Sequence, residues 1–173
     1  MTNAQRTKRI AVCAALAALG VVTLYIGSLV NVLDISMAVI ASLFTVIAVI
    51  EYGKSAPWLV YTVTGLLSVI LLPEKSPALM FLCFFGFYPI IKEKLEKRKK
   101  VVAWVLKEVI FNVTFAIMLV LSHTLFAPAI KDPWYFTLIF VILAEIVFPI
   151  YDLALTRLIS FYIIKLRPRF KFK

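Results

Sequence analysis

The stretch FFGFYPIIKEKLEKRKK, residues 84–100, joins two unlike halves end to end. Apolar and small residues run as far as Ile91, and from Lys92 onward the chain is mostly charged. A soluble amphipathic helix interleaves polar and apolar residues around its circumference, so this order is atypical of one. The stretch predicts a helix that leaves a membrane at its inner face and runs into a basic cytoplasmic loop.

The composition of the whole chain indicates the same environment. Of its 173 residues, 63% are hydrophobic and 16% are charged, and the mean hydropathy is +1.00. A soluble domain is nearer half apolar and a quarter charged. The net charge is +10, but the lysines and arginines lie beside apolar runs, which favours contact with anionic lipid over nucleic acid. The length predicts a single domain over residues 1–173.

Apolar segments predict an all-α fold, a polytopic membrane protein with six transmembrane helices. The segments cover residues 10–30, 35–50, 58–72, 78–91, 101–127 and 134–164. A span takes about 20 residues, so whether the third and fourth segments cross fully is left open. The turns between segments carry Gly, Pro or Asn, which end helices without strain.

The positive charges predict the orientation. With the N-terminus in the cytoplasm, seventeen of the nineteen lysines and arginines fall on the inner side, and only Lys75 and Lys131 lie outside. This asymmetry over short loops is a strong positive-inside signal. It predicts an even number of spans, both termini in the cytoplasm, and a multi-pass location in the cell membrane.

Signatures of catalysis and of metal or cofactor binding are missing from the sequence. Cys13 and Cys83 lie inside apolar runs without a CxxC motif or a histidine pair. The chain has no HExxH, GxSxG or Gly-rich phosphate loop. We therefore expect neither an enzyme, nor a metal site, nor a bound cofactor.

Polar residues within the apolar segments are the candidate ligand-binding groups. An ionisable group in hydrocarbon costs a few kcal/mol, so Glu145 needs an explanation. It and Asn112 each lie about 16 Å along neighbouring predicted helices, near the midplane, and their depth allows a shared polar site. The predicted ligand-binding residues are Tyr61, Asn112, His123 and Glu145. The alternative is an interhelical hydrogen bond that only holds the bundle together.

Small residues form a face on the first predicted helix. Ala11 and Ala15, and likewise Ala14 and Ala18, are four residues apart, so all four share one side. Small residues at this spacing let another membrane helix approach closely. We predict a partner-docking face here, with packing inside the bundle as the alternative.

In layout and in this alanine pattern, the chain resembles the substrate-binding (S) components of energy-coupling factor (ECF) transporters. The resemblance implies a bacterial plasma-membrane subunit that captures a vitamin-like small molecule or another micronutrient from the extracytoplasmic side. It also implies that Ala11, Ala14, Ala15 and Ala18 dock on a transmembrane coupling subunit, which sits on ATPase subunits. Metal-binding members begin Met-His, whereas this chain begins Met1-Thr2, and no vitamin-specific motif is present, so the substrate is open.

A second function class stays open beside this one. The chain is then a non-catalytic membrane scaffold or accessory subunit whose basic cytoplasmic surfaces recruit partners or anionic lipid. Residues 92–100 either form such a surface or only set the topology. Glu93 with Lys97, and Glu96 with Lys100, have the spacing of helical ion pairs, which predicts that the helix extends two turns into the cytoplasm.

Overall fold

The computed structural model describes residues 3–53, 55–125 and 134–167, and over these ranges the chain is helical and contains no strand. The all-α prediction is therefore confirmed for the described residues. The helices are α1 (Asn3–Leu29), α2 (Asp34–Tyr52), α3 (Ala56–Leu71), α4 (Ser76–Met80), α5 (Tyr88–Leu95), α6 (Lys100–Leu125) and α7 (Trp134–Phe161).

Each predicted apolar segment corresponds to one helical segment of the described chain. The fourth is interrupted: α4, a π-helical turn over Phe81–Phe85 and α5 follow one another between Ser76 and Leu95. α1 begins at Asn3, well before the apolar run, because polar residues continue a helix that hydropathy alone does not mark. Residues 126 and 127, at the end of the fifth predicted segment, lie outside the described ranges.

Three helices of the described residues are long and apolar enough to cross a membrane: Asn3–Leu29, Asp34–Tyr52 and Lys100–Leu121. α3 is apolar but shorter, at 16 residues. Large apolar side chains point outward along α1, with Leu19, Val22 and Ile26 all close to half exposed. An outer surface of this kind suits hydrocarbon better than water.

The chain divides into two compact units, residues 1–118 and 119–173, called unit 1 and unit 2 below. They are described separately. The expectation of one domain over the whole chain stays a prediction.

In unit 1 the first three helices alternate in direction. One buried cluster brings Cys13 of α1 together with Ala48 of α2 and Ala56 of α3. A second cluster joins Leu24 and Ala38 with Leu72, the residue after α3. Residue numbers therefore run the same way in α1 and α3 and the opposite way in α2. The beginning of α1, the end of α2 and the beginning of α3 share one end of unit 1, called the basic end below.

The contact between α1 and α3 depends on a glycine. A Cβ atom at Gly20 would lie 2.9 Å from Cγ2 of Thr64, closer than real side chains approach. The same threonine donates a hydrogen bond from Oγ1 to the carbonyl oxygen of Ala17 at 3.4 Å. Small residues at membrane helix interfaces permit such close approach and the packing energy that comes with it.

The fourth segment returns toward the basic end alongside α3. A Cβ at Gly65 would meet Leu82, and the rings of Tyr61 and Phe87 lie 6.5 Å apart, so the two segments are antiparallel. The helix changes pitch where Gly86 N donates to the Phe81 carbonyl, 2.7 Å away and five residues back. Inserting one residue into the ladder in this way is the mark of a π-bulge.

A proline restarts the helix after this bulge. Pro89 lies in the first turn of α5, where its missing N–H has no intrahelical acceptor to lose. The segment that leads to the basic loop is therefore bent by a π-bulge and a new helix start rather than continuous.

Unit 2 contains the end of α6 and the whole of α7. α7 runs 28 residues with Pro149 inside it and is followed by a π-helical turn, Tyr162–Leu166. One side of α7 is buried at positions three and four apart, as expected for a packed helical face. These buried residues are Phe148, Tyr151, Asp152 and Leu155.

Candidate functional site

The two sides of α1 have opposite environments. The side that packs into unit 1 carries the buried residues Cys13, Leu16, Ala17, Gly20, Val21 and Leu24. The four alanines predicted as a docking face are all exposed: Ala11, Ala14, Ala15 and Ala18. At 100° per residue they cover roughly 100° of arc, nearly opposite the buried side. We call this surface the alanine face.

Large apolar side chains surround the alanine face on the same helix. Ile10 precedes it and is 62% exposed, and Leu19 follows it at 50%. The face is thus a shallow strip on the half of α1 nearest the basic end. A second helix can approach its backbone there more closely than at the leucine, valine and isoleucine positions farther along.

Tyr61, the first predicted ligand-binding residue, is built into the packing of α3 against the fourth segment. Its hydroxyl donates to the carbonyl oxygen of Leu82 at 2.8 Å. Its ring contacts Trp58 edge-on, with centroids 5.9 Å apart, and lies 6.0 Å from Phe81. Leu82 belongs to the π-helical turn, where regular helical bonding is disturbed, so the Tyr61 hydroxyl stabilises an irregular backbone.

The other predicted ligand-binding residues lie on α6 and α7. Asn112 is exposed and donates from Nδ2 to the carbonyl of Glu108, one turn back on its own helix, at 3.1 Å. The side chain of His123 lies outside the described part of the structure. Glu145 of α7 is half-buried and belongs to unit 2. A ligand site shared by Tyr61, Asn112, His123 and Glu145 stays a prediction.

An ion-pair cluster with two buried ammonium groups and one carboxylate, Glu96, that is 43% exposed joins α5 to α6. Lys92 is 1% exposed, and its Nζ lies 2.9 Å from Oε1 of Glu96. Lys107 of α6 is 5% exposed, and its Nζ reaches the same oxygen at 3.3 Å and lies 5.9 Å from the centre of the Trp104 ring. One carboxylate therefore serves two buried ammonium groups, and we call these three charged residues the ion-pair cluster.

A second lysine–glutamate pair lies beside this cluster and differs from it in the exposure of its lysine. Glu93 and Lys97 form the predicted i, i+4 pair at 2.9 Å, but both side chains are well exposed. α5 ends at Leu95, so only about one helical turn follows Ile91 rather than the predicted two. Because the helix ends there, Glu96 is its C-cap residue and turns toward α6.

The ion-pair cluster was not among the predicted site residues. The sequence predicts Lys92 in the basic cytoplasmic loop and counts Lys107 only among the seventeen cations of the inner side. The spacing of Lys92 and Glu96 did contain the signal, because residues four apart share one side of a helix. Lys107 is eleven residues from Glu96, and only the folding of α6 back on α5 joins them.

No group of three or more His, Cys, Asp and Glu side chains capable of holding a metal ion occurs in the part of the chain that the structure describes. The chain matches no family model, no curated protein and no solved structure. The resemblance to S components therefore stays a prediction that rests on layout and on the alanine face.

Proposed function

We propose that the chain is a six-span membrane subunit with both termini in the cytoplasm, which captures a small molecule from the outer side and docks on a transmembrane coupling subunit with ATPases. The observation that carries the proposal is the exposure of all four residues of the alanine face. Small residues on an outer helix surface favour close helix–helix contact in a membrane.

The distribution of charge supports the proposed orientation. Arg9 lies where α1 begins and donates from Nη2 to Oγ of Ser55 at the beginning of α3, 3.1 Å away. The fourth segment runs back toward the same end and carries Lys92 there. Cations gathered at one end of alternating helices are the pattern that the positive-inside rule associates with the cytoplasmic side.

The docking half of the proposal is tested by Ala15→Leu. A leucine there fills the strip that a partner helix would enter, so we expect loss of co-purifying membrane and ATPase subunits from native membranes. Val22→Leu is the matched control, because Val22 is also exposed on α1 but lies beyond the alanine face. If Ala15→Leu retains the same partners as the control, the docking face is refuted.

The capture half is tested at Glu145. Tyr61 and Asn112 already donate to backbone carbonyls, so among the predicted groups whose side chains the structure describes, the Glu145 carboxylate is best able to determine ligand binding. We expect Glu145→Gln to weaken the retention of the native ligand at least tenfold, measured by mass spectrometry of small molecules released from purified protein. Undiminished retention at equal yield would remove Glu145 from the site.

A scaffold or accessory subunit is the second candidate, and the exposed cations of the loop between α5 and α6 favour it. The Lys97 side chain is 70% exposed, and Lys94, Arg98 and Lys99 beside it are also exposed. A surface of this kind attracts acidic partners or anionic headgroups. Purification that yields no ligand and no ATPase, but a cytoplasmic complex that dissociates at high salt, would favour this candidate over the first.

A further inference from the structure

A groove of about 440 Å³ runs along unit 1 between α1 and α3 at the basic end. Its floor is apolar and buried, and includes Cys13, Ala17 and Val60. Its walls are apolar and exposed, with Leu59 61% and Val63 42% accessible on the α3 side. An open apolar groove on the outer surface of membrane helices is suited to a lipid acyl chain.

Two arginines stand at one end of this groove. Arg6 and Arg9 both line it and are one helical turn apart on α1, hence on the same side. Arg9 is held in place by its hydrogen bond to Ser55 and by the Tyr52 ring, whose centre is 5.8 Å from the guanidinium carbon. Among the described residues that line the groove, none is acidic. The groove is therefore apolar along its length and positive at one end.

The dimensions match one leaflet of a membrane. From Arg6 to Ala17, α1 rises about 16 Å at 1.5 Å per residue. Half of a hydrocarbon core of about 30 Å is a similar length. An acyl chain lying against the floor would thus reach from the arginines toward the midplane. Guanidinium groups with several N–H donors in a planar fork are well suited to phosphate oxygens at the inner surface.

We propose that this groove binds one anionic phospholipid of the inner leaflet, with its phosphate against Arg6 and Arg9 and one acyl chain between α1 and α3. Basic pockets between membrane helices on the cytoplasmic side favour anionic headgroups for this electrostatic reason. The assignment to the inner leaflet rests on the orientation proposed above, but the inference does not rest on the transport function, since either candidate function is compatible with it.

Native mass spectrometry of the full chain, delipidated in mild detergent, tests the proposal. Dioleoyl phosphatidylglycerol and dioleoyl phosphatidylcholine are offered at equal concentration. We expect the first bound lipid to be phosphatidylglycerol, by about twenty-fivefold, because each of the two arginines near the headgroup favours negative charge about fivefold. Equal binding of the two lipids would overturn the proposal.

Variants then locate the site. Arg6→Gln with Arg9→Gln should abolish the preference, whereas Lys94→Gln with Lys97→Gln removes two exposed cations outside the groove and should leave it within twofold. Val63→Trp should fill the groove, which Ala14 of the alanine face also lines, and lower lipid retention while leaving both arginines in place. A preference that survives the arginine changes, or that falls equally with the lysine changes, contradicts the assignment.

Two further measurements separate the lipid from other occupants. Glycerophosphoglycerol, the headgroup without acyl chains, should not displace the bound lipid at matched concentration, and effective displacement would refute the role of the groove. Ala15→Leu should leave lipid retention unchanged, because Ala15 does not line the groove. If Val63→Trp instead removes a co-purifying membrane protein and leaves the lipid bound, the occupant is a protein and the proposal is wrong.

Discussion

Small residues lie on both sides of α1, but one side is buried in unit 1 and the other is exposed. Ala17 and Gly20 are buried against α3, while Ala15 and Ala18, only two residues before each of them, are exposed. Inside unit 1 a small residue lets two helix backbones approach, as Gly20 of α1 does where it meets Thr64 of α3. On the outer side the same chemistry leaves an exposed strip, which we propose as the docking surface for a helix from another protein. Small residues in a membrane helix therefore indicate close packing without telling which partner it involves.

Two ion pairs that begin in α5 and end in the loop after it show a similar contrast between buried and exposed side chains. The Lys92–Glu96 and Glu93–Lys97 pairs have the same spacing and the same 2.9 Å separation. The two carboxylates are similarly exposed, Glu96 by 43% and Glu93 by 46%, so the pairs differ in the lysine: the Lys92 side chain is 1% exposed and the Lys97 side chain is 70% exposed. A pair with a buried ammonium is costly to break, whereas an exposed pair is screened by water and contributes little. The predictions below compare buried and exposed members of these matched sets.

The largest effect is expected for Glu96→Gln. It removes the carboxylate that the buried Lys92 and Lys107 ammonium groups share. Because Glu96 itself is 43% exposed, water screens part of this pairing, and the free energy of unfolding should fall by about 2–3 kcal/mol. The measurement is unfolding in mixed micelles with increasing denaturing detergent. Lys92→Met should recover part of the loss in the Glu96→Gln background, because it removes one of the two buried ammonium groups that lost this carboxylate. No recovery would show that the cluster stabilises through something other than charge.

The next largest loss in the free energy of unfolding is expected for Gly20→Val. The new Cβ would meet Thr64 Cγ2 at 2.9 Å, so α1 and α3 must separate, and we expect a loss of about 2 kcal/mol in the same unfolding assay. Ala18→Val adds a similar side chain two residues away on the exposed face and should change stability by less than about 0.5 kcal/mol. Equal losses at the two positions would contradict the assignment of the two faces.

Thr64→Val should have a smaller effect. It removes the long hydrogen bond from Oγ1 to the Ala17 carbonyl and keeps the shape of the side chain. Hydrogen bonds between membrane helices average about 0.6 kcal/mol, and we expect a loss of that order. A loss as large as that of Gly20→Val would mean that the hydrogen bond, rather than close packing, joins α1 to α3.

Glu93→Gln is expected to have the smallest effect, about 0.3–0.5 kcal/mol, because the Lys97 pair is exposed. Raising the salt concentration should remove even this difference between variant and wild type. A loss comparable to that of Glu96→Gln would show that exposure does not separate the two pairs.

Much of the fold could be predicted from the sequence alone. Six helical segments, the turns between them and the concentration of cations beside Lys92 follow from hydropathy, turn residues and charge, each of which acts within a short stretch of chain. The spacing of Ala11 and Ala15 predicts that these alanines share one side of α1, and the structure shows that side exposed. Docking of a partner there stays a prediction.

Tertiary structure decided which side of each helix is buried. In a chain this apolar, a side that faces lipid and a side that faces protein differ little in hydropathy, so periodicity cannot separate Ala15 from Ala17. The π-bulge before Gly86 and the meeting of Lys107 with Glu96 also depend on segments distant in sequence. Their energies come from contacts across helices, and such contacts are settled only when the whole of unit 1 has packed.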